Sequence, residues 1–157
     1  MIRNTTIRGI ITYKRKGIRK EKHMTKKEAV KVFYGIFLKY RTEIAICPCG
    51  CDDGRGEAYI ENRLIFYPPK AFERPTEWDA FCLLHEIGHI KTNTVDMPDS
   101  ECEFLATEWA AKEAKNWGIK VKKDWKDNWQ SYIWSFLRKE CPRERFNSLK
   151  EELVVRW

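Results

Sequence analysis

Residues 85–89 read His-Glu-Ile-Gly-His. Two histidines four apart on a helix lie one turn from each other on one face, so His85 and His89 can both turn a ring nitrogen to a single Zn²⁺ at about 2.0–2.1 Å. Glu86 projects beside them. Zn²⁺ brings the pKa of water towards neutrality, and a carboxylate placed like Glu86 can take that proton, help deliver hydroxide to a peptide carbonyl and return the proton to the departing amine. Two ligands are not enough, because a catalytic site uses three protein ligands and one open position.

The third ligand must be sought among acids. The chain has only three histidines, and the remaining one, His23, sits in a basic segment far from the motif. Glu101, Glu103 and Glu108 on the following helix are the candidates. Glu103 shares a side with Ala106 and Ala110, at spacings of three and seven, so it points inward. A buried carboxylate is costly without a cation, and the ion supplies one. Glu108 falls five after Glu103 and faces elsewhere; Glu101, near the helix start, is favoured there by the helix dipole alone. The competing reading is an accidental five-residue match on a solvated helix. Against it, two of the three histidines have the required spacing, with the apolar run Phe81-Cys-Leu-Leu84 before them and a carboxylate-bearing helix after.

The elements that must position these residues can be read from caps and periodicity. Thr25-Lys-Lys-Glu28 forms a capping box ahead of a helix reaching Tyr40, with Ala29, Val32, Phe33, Ile36, Phe37 and Tyr40 on one buried face. Short strands are expected at 43–46, 57–60 and 63–67, the last two joined by a tight turn at Glu61-Asn62, giving a small antiparallel sheet; Pro68-Pro69 stops the third. Thr76 is the expected N-cap of a helix over 77–91 that carries the motif. Pro98-Asp99-Ser100 should cap the next helix, ended at Gly118, and two more are expected over 124–139 and 142–154. The class is α+β, with the small sheet packed on a helical zincin-like core and the motif on a central helix. The strand at 63–67 offers an edge for an extended peptide to pair with, or is an internal strand of that sheet.

The run Phe81-Cys-Leu-Leu-His-Glu-Ile-Gly-His89, followed by Glu103-Phe-Leu-Ala106-Thr-Glu-Trp109-Ala110, resembles the ImmA/IrrE family of small gluzincin-like metallopeptidases over about residues 57–117. Position by position, the resemblance implies His85 and His89 as zinc ligands, Glu86 as catalytic base and Glu103 as third ligand. It further implies a zinc-dependent hydrolase acting on a protein or peptide substrate in the cytoplasm, such as a transcriptional repressor. Trp109 stands where the family usually has Phe, and the fused helix-turn-helix module of some members is missing from the sequence.

Charge is unevenly placed. The chain of 157 residues carries a formal +7, yet residues 1–27 alone hold ten Lys or Arg against Glu21, a net +9, and the other 130 residues are at −2. This divides the chain into a basic arm, 1–23, and a single domain, 24–157. Nucleic-acid binding is therefore an expectation of the arm only, through salt-dependent phosphate contacts; a nucleic-acid-binding or partner-binding protein with a structural or inactive metal site is the alternative to catalysis. No run approaches the ~18–20 apolar residues of a spanning helix, and no secretory signal follows the basic start. A cytoplasmic protein with reduced thiols is the expectation. Cys47, Cys49 and Cys51 are read as loop thiols rather than a second metal site, because paired zinc-knuckle cysteines have two residues between them. Cys82 is read as packing. Trp117, Trp125, Trp129 and Trp134 recur in the C-terminal part as a packed stripe rather than a base-stacking surface.

Overall fold

The computed structural model describes residues 24–49 and 56–157; the basic arm and Cys51 lie outside them. It is an α+β fold of six helices and a small three-stranded mixed sheet, 64% helical.

Helix α1, Lys26–Tyr40, begins at the expected capping box: Glu28 N–H donates to Thr25 Oγ1 at 3.2 Å, and Thr25 N–H donates back to Glu28 Oε2 at 2.7 Å. Ala29, Phe33, Ile36 and Tyr40 are buried, while Val32 and Phe37 are half-buried at the margins of that face.

Three strands follow: β1, Ala45–Cys47; β2, Glu57–Tyr59; and β3, Leu64–Phe66. All three lie where strands were expected, but the sheet is mixed, with order β1-β3-β2, β1 parallel to β3 and β2 antiparallel to it. The expected antiparallel sheet is thus corrected. Cys47 and Glu57 both pair with Phe66, on opposite sides of β3. The chain leaves β1 and enters β2 at the same end of β3, so these two strands run in opposite senses and one of them must be parallel to the strand between. β3 is also the internal strand, which is the second of the two readings of 63–67 and rules out the peptide-edge one, and β2 is an edge of the described sheet.

A short helix that the sequence reading did not include, α2 at Pro69–Glu73, follows directly, with proline in its first turn. Pro69 stops the strand and also starts this helix, since its fixed φ suits a first turn and its missing N–H is not needed there.

Helix α3, Glu77–Thr92, is capped by Thr76 in a second capping box closed by Asp79, and ends at Asn93 in the left-handed region, φ 49°. It is the centre of the molecule: Ala80, Phe81, Leu83, Leu84 and Ile87 have no exposed surface. Helix α4, Asp99–Asn116, packs along it and ends ahead of Gly118, φ 70°. Neither Pro98 nor Asp99 closes its start with a side-chain cap. Instead the Glu140 carboxylate, forty residues later, accepts from the backbone N–H and hydroxyl of Ser100, satisfying amides that a local cap would otherwise serve. Helix α5, Lys123–Glu140, and α6, Arg143–Glu152, complete the fold.

The tryptophans pack as expected of a helical stripe. Trp125 and Trp129 of α5 lie against Phe81 of α3, with ring centroids 6.3 and 6.1 Å away. Across the molecule, Glu113 of α4 accepts from Lys39 Nζ at 2.7 Å and Tyr40 OH at 2.8 Å, tying α4 to the end of α1. Among the described residues no helix is long and apolar enough to cross a membrane.

Candidate metal centre

The spacing of the motif on α3 becomes a geometry. His85 Nε2 and His89 Nε2 lie 3.1 Å apart. Glu103, from the second turn of α4, brings Oε2 to 3.1 Å from His85 Nε2 and Oε1 to 3.7 Å from His89 Nε2. Two atoms bound tetrahedrally at about 2.0–2.1 Å stand about 3.3–3.4 Å apart, so the three side chains are spaced as corners of one coordination shell. The donors themselves fit the same group: Glu103 Oε2 is buried and accepts no well-oriented hydrogen bond, although a carboxylate oxygen in that position needs a cation or a proton. Among the described residues, His85, His89 and Glu103 form the one cluster of side chains able to hold a metal.

The other two acids go elsewhere. Glu101 is exposed, and Glu108 points towards Arg156, 3.7 Å away.

Two further residues shape the site without being donors themselves. Thr107, fully buried, holds its Oγ1 3.1 Å from His85 Nδ1. Were Nε2 to hold an ion, Nδ1 would carry the ring proton and donate it to this hydroxyl, fixing both tautomer and ring orientation. Thr107 falls four after Glu103, on the same helical face, which is the sequence signal that could have found it. Gly88, inside the motif, lies where a Cβ would sit 2.6 Å from the backbone oxygen of Ala106. Its lack of a side chain lets α4 approach α3 closely enough for Glu103 to meet the histidines.

Glu86 lies half-buried beside the ligands. Gly56, ahead of β2, approaches it so closely that a Cβ there would be 2.8 Å from Glu86 Cγ and 2.9 Å from Tyr67 Cδ2. Burial pushes the Glu86 carboxyl up to about 7; a positive His85 opposes this, while Glu103 and Glu57 add to it. For His89, burial and the neighbouring His85 push the pKa down to about 4, against the pull of Glu103, leaving a neutral ring with a lone pair to offer.

Trp129 of α5 lies on the His85 ring, with centroids 4.2 Å apart and planes at 34°. Tyr67 donates its hydroxyl to the Asp79 carbonyl at 2.8 Å. The Cys82 thiol, one turn before Glu86, is pushed well up by burial and by the acids beside it, so it stays protonated; this agrees with packing rather than ligation. Cys47 and Cys49 are half-buried, and Cys49 Sγ donates to the Cys47 carbonyl at 3.7 Å.

His85, Glu86, His89 and Glu103, with Tyr67 and Cys82, open on a cavity of about 1040 Å³, bounded by Gly56 and Ala58 at β2, Ala71 of α2, the α3 face and Trp129 and Tyr132 of α5. Compared with protein families, curated proteins and solved structures, the chain finds no match in any of the three.

Proposed function

We propose that this protein is a zinc-dependent metallopeptidase that hydrolyses a peptide bond in a protein or peptide substrate, in keeping with the ImmA/IrrE-like resemblance of its motifs. The observation that carries the reading is the set of three donor atoms, His85 Nε2, His89 Nε2 and a Glu103 carboxylate oxygen, 3.1–3.7 Å apart beside the Glu86 carboxyl. Nitrogen, nitrogen and carboxylate with one position open is the donor set of catalytic zinc rather than of closed structural sites.

Bound there, the ion supplies Lewis acidity towards the substrate carbonyl and lowers the pKa of water. The chain's own residues do the rest. His85, His89 and Glu103 hold and orient the ion, with Thr107 keeping the His85 proton on Nδ1. Glu86 takes a proton from water on a carboxylate oxygen and hands it to the departing amine.

Zinc analysis of the purified full chain should give about one equivalent per chain, lost in His85→Ala and in His89→Ala. Unchanged metal content in both variants overturns the site. Glu86→Gln should keep zinc and lose cleavage of a denatured casein substrate; cleavage that persists removes Glu86 from the role of base.

A further inference from the structure

The cavity is longer than the metal centre needs. Thr76, Asp79, Cys82, Glu86 and His89 recur at three and four along α3 and all line it, so it runs about 20 Å along the helix. The two histidines take up only the last part of that run, and Thr94, Asp99 and Cys102 line the cavity beyond them. Between the first turn of α3 and His85 the lining includes the Cys82 thiol, the small side chains of Ala58 and Ala71, the rings of Trp78 and Trp129, and the half-buried Asp79. Trp78 and Trp129 are 6.1 Å apart by ring centroids, Tyr132 continues the wall 5.7 Å from Trp129, and Trp129 itself reaches His85 at 4.2 Å. An aromatic wall thus leads without a break to a metal ligand.

Ala58 and Ala71 add only small side chains to this lining, the Cys82 thiol stays protonated, and the Asp79 carboxylate is engaged by the Thr76 N–H and hydroxyl that donate to it. The charged residues Glu57, Lys70, Glu73, Arg74 and Asp99 that also bound the cavity are exposed at its rim. A polar or charged side chain entering beside Trp129 would lose water and gain few partners, whereas a flat or branched apolar one would displace water from the rings.

Resting on the metallopeptidase reading, we infer that this part of the cavity receives one large apolar or aromatic substrate side chain next to the bond being cut, with Trp129 and Tyr132 as the residues that set the preference. The substrate class is then an extended peptide chosen for a bulky apolar residue at the cleavage point. Rim charges act on flanking positions only.

The test uses capped pentapeptide hydroxamates that differ only in Phe or Gly at the residue nearest the chelating group, made with the hydroxamate at either end, together with the matching non-chelating amides. Binding to the zinc-loaded full chain is measured by calorimetry. In one orientation the Phe hydroxamate should bind at least about tenfold more tightly than the Gly one. That ratio, which cancels the contribution of the metal, should fall in both Trp129→Ala and Tyr132→Ala; the second carries the test if the first fails to fold. A ratio near one in both orientations, or one unchanged in the folded variants, overturns the pocket while tight hydroxamate binding leaves the metal reading standing. If the amides show the Phe preference and the hydroxamates bind no better than the amides, the pocket stands and the metallopeptidase reading falls.

Discussion

Gly88 and the backbone of Ala106 are in such close contact that a β-carbon on Gly88 would meet the Ala106 carbonyl oxygen at 2.6 Å and its Cα at 3.1 Å. The obstacle is main chain, which cannot swing aside as a side chain can. Gly88→Ala should therefore force α3 and α4 apart, at about 1–3 kcal/mol for overpacking, and lower the unfolding temperature by several degrees. Because the displaced helix carries Glu103, zinc affinity should fall in the same variant. Thermal unfolding and zinc competition against a chelator read both effects; unaltered zinc affinity would show that the helix spacing does not set the site.

Thr107 offers a cleaner separation of ligand from support. Thr107→Val keeps the shape of the side chain and removes the acceptor for the His85 Nδ1 proton, so zinc should bind about ten- to a hundredfold more weakly. Thr107→Ser, which restores the hydroxyl, should recover most of it. Equal affinity in all three proteins would mean the 3.1 Å contact does not orient the ring.

Gly56 bears on Glu86 rather than on the metal. A methyl group at Gly56 presses on Glu86 Cγ and on the Tyr67 ring, and misplacing a reacting group by about 1 Å can cost about a hundredfold in rate. Gly56→Ala should keep its zinc and lose at least about tenfold in peptide hydrolysis. Loss of zinc with activity would place the damage at the ligands instead.

Far from the site, Glu113 makes stability depend on acid. Burial alone would raise its pKa, but hydrogen bonds from Lys39, Asn116 and Tyr40 outweigh that and leave it below the ordinary 4.5. A carboxyl lowered on folding stabilises above its unfolded pKa, and that stability fades as pH falls from about 4.5 through the lower folded value. Glu113→Gln should cost about 1 kcal/mol at neutral pH and show a smaller loss on acidification than the parent. Parallel stability curves for the two proteins below pH 5 would contradict this role.

What could be read from the sequence was local. The Thr25–Glu28 box and the Thr76 cap place α1 and α3 to within a residue or so, because both hydroxyls and their acceptors lie within one turn. His85, His89 and Glu86 follow from spacing on one helix, and Glu103 follows from its shared side with Ala106 and Ala110. What could not be read depends on partners distant in the chain. The parallel pairing of Ala45 with Leu64 follows from β3 taking the middle of the sheet. The start of α4 is closed by Glu140, which no scan of residues 98–103 would reveal. Gly88 reads as an ordinary helical glycine until Ala106 is seen against it, and α2 is too short to have a period.

The hold of Glu140 on Ser100 also orders events during synthesis. The three candidate ligands have all been made once residue 103 is joined, but the acid that closes the first turn of their second helix arrives 37 residues later, and Trp129 must arrive before His85 gains its ring neighbour. A ribosome adding about 5–20 residues each second therefore exposes the ligands seconds before their frame exists. Metal capture in the final geometry would have to wait for residue 140, and nascent chains arrested between residues 110 and 135 should hold zinc more loosely than the released protein.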